Sequence, residues 1–185
     1  MSSPVNILLH EHHQIMAVVQ PVKTFLGRWR ELSGEAPTEA EIRGLIDLDR
    51  ELEGRLPRHA DKEDRVLFPA IEQALGTREG PTAVMRMEHR EIHAQAEEVR
   101  RTLRDLRELE HPAVDDHGHA FGRELRQSLA EGMISQKLVG TLEALIPLLE
   151  SHFAKEEQVL FPMAESVLDS ETKTRLAAQL EPSEP

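Results

Sequence analysis

The chain repeats itself. Residues 59–72 read His-Ala-Asp-Lys-Glu-Asp-Arg-Val-Leu-Phe-Pro-Ala-Ile-Glu, and residues 152–165 read His-Phe-Ala-Lys-Glu-Glu-Gln-Val-Leu-Phe-Pro-Met-Ala-Glu; eight of the fourteen positions are identical. A shorter pair precedes each copy in the same order, Glu11-His12-His13-Gln14-Ile15 and Glu88-His89-Arg90-Glu91-Ile92. A matched series of this kind means that one supersecondary unit is used twice. His12 and His59 are 47 residues apart, His89 and His152 are 63 apart, so the second copy carries 16 extra residues, placed at about 115–132.

The periodicity around the repeat is helical, with no alternating strand pattern. A first helix starts after Ser3-Pro4, where a proline's missing N–H is harmless. It carries Val5, Leu8, His12, Ile15, Val19, Val22 and Leu26 on one stripe, bends at Pro21 and ends near Leu32. A second starts at Thr38 with Glu41 three residues on, a capping box, and runs towards Leu75-Gly76 with bends or breaks at Pro57 and Pro69. A third spans Pro81-Thr82 to His111-Pro112. A fourth region covers about 114–168, interrupted near Gly132 and bent at Pro147 and Pro162. Ser170 caps a last short helix to Leu180, and the tail 181–185 frays. Repeat 1 (about 5–76) and repeat 2 (about 81–168) each read as a helical hairpin. Two hairpins make an all-α, up-down-up-down four-helix bundle with a short extra helix at about 170–180, one domain over 1–185.

Composition removes many chemistries. The chain has no Cys and no Tyr, which excludes disulfides, thiol catalysis, Cys-ligated zinc and Tyr nucleophiles. A net charge of −12 argues against nucleic acid and anionic membrane as partners. No apolar run approaches a membrane span, and Met1-Ser2-Ser3-Pro4 does not begin a secretory signal, so a cytoplasmic location is expected. There is no Gly-rich phosphate loop and no nucleophile elbow, so any catalysis would be metal chemistry on a small oxidant. Histidine stands out at 10 residues.

His59/Glu63 and His152/Glu156 are spaced four apart, which places each pair on one helix face. A third such pair, His93/Glu97, lacks the matched flanks and is read as coincidence. With Leu56 at zero and a step of about 100° per residue, Val66, Leu67, Ala70 and Ile71 fall within about 80°, and His59 and Glu63 lie inside that arc. Lys62, Asp64 and Arg65 take the opposite side. In repeat 2, His152 and Glu156 sit among Leu149, Val159, Leu160 and Met163. His89 shares a stripe with Met85, Ile92, Ala96, Val99 and Leu103. A lone core histidine needs no ligand to explain it, but a buried unpaired carboxylate costs several kcal/mol. No Lys or Arg lies on these arcs except Lys23 and Arg100 at a distance. A metal pair removes the difficulty. Imidazole plus carboxylate suits iron, manganese or zinc, and two equal half-sets, His12/His59/Glu63 and His89/His152/Glu156, imply two metals bridged by the glutamates.

The doubled His / His-x-x-x-Glu pattern, with Glu-His-x-x-Ile and Lys-Glu-x-x-Val-Leu-Phe-Pro around it, resembles the hemerythrin-like (HHE) family over about residues 5–168. The resemblance implies a non-haem di-iron centre with an oxo or hydroxo bridge, Glu63 and Glu156 bridging, and His12, His59, His89 and His152 as terminal ligands. Oxygen-carrying hemerythrins have His-x-x-x-His on the third helix, which His89/His93 match, so His93 is either a fifth imidazole ligand or an outer residue. They also end with a carboxylate five after the last histidine. Here that position is Glu157, which phases towards solvent, whereas Glu156 at four matches the core. That departure resembles the iron-sensing and iron–sulfur-cluster-repair branches. These 185 residues contain no Cys with which to expect the N-terminal module of the repair branch.

Three functions follow: a di-iron protein that binds, senses or turns over O2, NO or peroxide; an iron donor or sensor linked to cluster repair or iron homeostasis; and a bundle that its metal merely stabilises. Among the other histidines, His13 is a candidate outer residue, His10 reads as solvated, and His111, His117 and His119 fall in the connection between the third and fourth helices. The Arg100-Arg101-x-x-Arg104-x-x-Arg107 run reads as a solvated helix face.

Overall fold

The structure is a computed structural model and describes residues 3–31, 37–108 and 136–181. All regular structure among the described residues is helical: α1 (Pro4–Glu31), α2 (Glu39–Glu53), α3 (Arg55–Lys62), α4 (Phe68–Leu75), α5 (Pro81–Glu108), α6 (Gln136–Lys155), α7 (Phe161–Val167) and α8 (Ser170–Leu180). Two π-helical turns, Glu63–Leu67 and Glu156–Leu160, join α3 to α4 and α6 to α7. The expected interruption near Gly132 and the end of the third helix at His111-Pro112 lie outside the described residues. No helix among those described is long and apolar enough to cross a membrane.

Prolines set where the helices change. Pro4 opens α1, and the Ser3 hydroxyl accepts from the Asn6 N–H at 3.2 Å. The break foreseen at Pro57 falls at Gly54 (φ −106°, ψ −81°). Beginning α3 at Arg55 puts Pro57 in its first turn, where no N–H is required. Pro69 and Pro162 cannot donate and would clash with the carbonyl four residues back. Instead of a bend, the chain inserts one residue: the Phe68 N–H bonds to the Glu63 carbonyl, and the Phe161 N–H to the Glu156 carbonyl. α1 and α6 continue through Pro21 and Pro147. Gly76 ends α4 in the left-handed region (φ 69°), which glycine enters without a Cβ penalty. α8 is capped by Asp169, not Ser170; its carboxylate accepts from the Thr172 N–H at 2.8 Å.

The chain divides into two compact units, one of Met1–Ile15, Gly54–His93 and Leu148–Pro185, the other of Met16–Glu53 and Ala94–Pro147. Each takes segments from both copies of the repeat. In the first, Val5, Leu8, Leu67, Phe68, Leu160 and Phe161 form a core that Leu176 and Leu180 of α8 help close. In the second, α1 approaches α2 so closely that a Cβ at Gly44 would stand 3.1 Å from the Phe25 ring. The Thr38/Glu41 capping box is present: the Thr38 N–H donates to Glu41 at 2.6 Å and the Glu41 N–H to the Thr38 hydroxyl at 3.3 Å. Glu41 also takes Arg28 at 2.9 Å and the Trp29 indole N–H at 3.2 Å. Arg100 is not a solvated residue: it is half-buried and pairs with Asp49 at 3.1 Å and Glu53 at 2.9 Å.

Candidate metal centre

The first unit gathers His12 from α1, His59 from α3, Glu63 from the first π turn, His89 from α5, His152 from α6 and Glu156 from the second π turn. Neither glutamate has any exposed surface, and His12, His59 and His152 are each 1% exposed. Their donor atoms form two groups of four, His12/His59/Glu63/Glu156 and Glu63/His89/His152/Glu156, each with its atoms within 4.8 Å of one another. The two glutamates belong to both.

The π turns explain how a carboxylate enters this core. One inserted residue rotates the following side chains by roughly 100°. Past Glu63 the inward positions are therefore Leu67, Phe68 and Ile71, one residue later than the uninterrupted helix of the sequence reading, and Val66 and Ala70 are only half-buried. In the second copy Leu160, Phe161 and Ala164 face in, while Val159, expected inside, is 51% exposed. The shift brings Phe68 onto His89 (5.6 Å between centroids, 12° between planes) and Phe161 onto His12 (5.3 Å, 25°).

Each imidazole turns Nδ1 towards a carboxylate: His12 to Glu157 at 2.9 Å, His59 to Glu11 at 2.9 Å, His89 to Asp64 at 3.1 Å and His152 to Glu88 at 3.0 Å. A carboxylate only accepts, so each Nδ1 donates and each ring turns Nε2 inwards. Outer carboxylates of this kind fix ring orientation and raise ligand basicity. Lys62 holds Glu11 and Lys155 holds Glu88.

The inner face crowds imidazole nitrogens against carboxylate oxygens. His12 Nε2 and His59 Nε2 are 2.9 Å apart. His12 Nε2 lies 3.2 Å from Glu156, and His152 Nε2 lies 3.2 Å from the same carboxylate. His89 Nε2 stands 3.3 Å from Glu63, but the alignment is not that of a hydrogen bond, and all four carboxylate oxygens of Glu63 and Glu156 lack a hydrogen-bond partner. Burial, then the charge of Glu156, pushes the Glu63 carboxyl well above its ordinary range. For Glu156 burial acts the same way, but His12, His152 and His89 outweigh it and hold that carboxyl low. Burial opposes a charge on His89 too, yet Asp64, Glu156 and Glu63 raise it to about 11. Two imidazoles and two carboxylates in each group are a donor set that fits a metal cation.

Residues 3–131 and 108–181 match the family model of the hemerythrin HHE cation-binding domain. The chain belongs to that family. No curated relative and no solved structure matches it. Within this HHE domain the structure brings together six of the seven residues singled out as metal ligands. His93 is exposed and belongs to neither group. Four residues past His89 is about 40° round the helix, which carries it off the buried stripe. His10 and His13 are exposed as well; His111, His117 and His119 lie outside the described residues.

Sequence reasoning missed the outer layer. Helical phase puts Asp64, Glu157 and Lys62 on the polar side, and Glu11 and Glu88 stand in the sequence only as flanks of the repeat. The signal was present: Glu11/Glu88, Lys62/Lys155 and the acidic pair Asp64/Glu157 occupy matched positions in the two copies. Polar residues kept at equivalent places in a repeat had reason to be read as one layer.

Proposed function

We propose that this HHE domain holds two iron ions, one in each four-residue group, bridged by Glu63 and Glu156, and that it binds or senses a small ligand such as O2, NO or peroxide there. The observation that carries this reading is the sharing of two fully buried carboxylates, none of whose oxygens has a hydrogen-bond partner, between two otherwise separate sets of histidines. Imidazole and carboxylate without thiolate suit iron, with manganese and zinc as the alternatives. The reading takes the four histidine-bearing segments as the helices of an up-down four-helix bundle.

An iron pair would supply a redox-active Lewis acid there. The chain's own residues prepare the site. Glu11, Asp64, Glu88 and Glu157 hold the four imidazoles in the tautomer that leaves Nε2 free. Phe68, Phe153 and Phe161 cover the rings and exclude water. His89 must give up its second proton to become a ligand, so loading releases protons into solvent.

The test is metal content and optical spectrum after aerobic loading with ferrous iron, repeated with azide, NO and peroxide. About two irons per chain, with near-ultraviolet bands that shift on ligand addition, is the expected result. No bound metal and a flat spectrum would sink the proposal. A second reading, metal as a structural staple, is favoured by the same buried carboxylates, since a cation there stabilises the fold whatever else it does. Tight metal with a spectrum inert to all three ligands selects it.

A further inference from the structure

We infer that Arg86 is a positioning residue for His89: it holds the Asp64 carboxylate and the Phe68 ring against that imidazole, and so sets the affinity for one metal of the two. The inference rests on the metal reading above and adds to it a residue outside both donor groups.

Pro69 leaves one carbonyl without a donor, and Arg86 supplies it. Along the first π turn the Phe68 N–H goes to the Glu63 carbonyl. The next N–H, which would serve the Asp64 carbonyl in the same pattern, belongs to residue 69, and proline has none. The Arg86 guanidinium, on α5, donates to that carbonyl through Nη2 at 3.4 Å. Its Nη1 donates to Glu72, a buried carboxylate of α4 that the Thr82 hydroxyl also holds at 2.9 Å. Its Nε stands 3.8 Å from Asp64 Oδ1, the same oxygen that accepts from His89 Nδ1 at 3.1 Å. The guanidinium carbon lies 5.3 Å from the centroid of the Phe68 ring, which is the ring stacked on His89. A guanidinium has donors enough to serve Glu72 and Asp64 at once. Glu72 fixes the guanidinium in place, and the guanidinium touches both the acceptor of the His89 ring and the phenyl group that covers it.

The second copy lacks this arrangement. Leu9 stands three residues before His12, as Arg86 stands before His89, and Leu9 packs on the core instead. Glu165, the match of Glu72, is held by Lys173 of α8 at 2.7 Å. Glu157, the acceptor on His12, pairs with no Lys or Arg among the described residues. The His12 ring is backed by Phe153, stacked on it at 3.9 Å and 18°. The Arg86 contacts therefore serve the donor group that contains His89 and not the one that contains His12.

The experiment is chelator competition for ferrous iron in the absence of oxygen, beside a nitrogen-15 histidine ring spectrum of the metal-free protein. Arg86→Met is expected to weaken the binding of one iron of the two by about 10- to 100-fold, the effect of losing a residue that orients a ligand. Arg86→Lys keeps the charge but cannot fork between Glu72 and Asp64. It should weaken the same iron by less, and it carries the test if the methionine variant does not fold. In both variants the His89 Nδ1–H proton, moved downfield by its bond to Asp64, should shift upfield and exchange faster with water. Glu41→Ala, in the other compact unit, is the control for lost stability and should bind iron as the parent does. Variants at position 86 that fold and keep both the parent's iron affinities and its His89 signal overturn this inference alone, as does a weakening no greater than that in Glu41→Ala. A parent that takes up no iron overturns the proposed function, and the His89 signal of the metal-free variants then decides whether Arg86 positions that ring.

Discussion

Replacing Glu63 by glutamine should stabilise the metal-free protein and destabilise the loaded one. The amide keeps the shape and removes the charge. One oxygen of Glu63 lies within 4.8 Å of one of Glu156. At an effective dielectric of about 20, two unit charges at that separation repel by about 3.5 kcal/mol. The metal-free parent relieves part of this by holding protons, so the gain left for Glu63→Gln is about 1–3 kcal/mol, with each kcal/mol worth roughly 2–4 °C in Tm for a chain of this size. Burial and Glu156 raise the Glu63 carboxyl above its ordinary value of 4.5. The folded metal-free state therefore binds more protons than the unfolded chain above that pH. Its stability falls as pH rises towards the raised folded value, and the variant lacks this slope. Its advantage should widen with pH. Loading reverses the order. At a hundredfold excess over Kd, each bound metal stabilises the parent by about 2.7 kcal/mol, whereas Glu63→Gln loses a ligand common to both groups. The assay is calorimetric melting of parent and variant, with and without iron, at mildly acidic, neutral and mildly alkaline pH. A metal-free variant that melts below the parent at every pH, or iron that raises both Tm values equally, would refute the reasoning.

Other expectations are simpler. Glu11→Gln and Glu88→Gln should each weaken metal binding by about 10- to 100-fold, measured by competition with a chelator, because each leaves an imidazole without its charged acceptor. Metal affinity should fall as pH falls, since His89, held at about 11 without metal, must shed a proton to bind; a pH-stat should record proton release on loading. Burial opposes the charge on Glu72, but Arg86 and Thr82 outweigh it and lower its carboxyl below 4.5. Its stabilisation is therefore present above that pH and lost as pH falls, so Glu72→Gln should show a shallower acid unfolding curve by circular dichroism. Glu41→Ala removes the α2 capping box and the acceptor of the buried Trp29 indole. It should cost about 1–3 kcal/mol in denaturant unfolding and alter Trp29 fluorescence.

The sequence by itself determined the helical class, the doubled unit and the six residues of the inner cluster. Helical phase is a local property, so the stripe Val5-Leu8-His12-Ile15 and the positions of Glu63 and Glu156 follow from spacing alone. The repeat told these pairs apart from His93/Glu97, which has the same spacing and no matching flanks. Tertiary structure decided what stands opposite each ring. Phase gives an angle about a helix's own axis but not the neighbour across from it, so Glu157 could point away from its own stripe and still reach His12 on another helix. It also decided the register beyond each glutamate. Pro69 and Pro162 are visible in the sequence, but whether a proline bends a helix, breaks it or forces an extra residue depends on what the following face must bury. Here Phe68 and Phe161 had to reach His89 and His12, and the π turn is the local change that puts them there. His93 was decided in the same way: about 40° from a ligand, its place was set by the edge of a core that only packing draws.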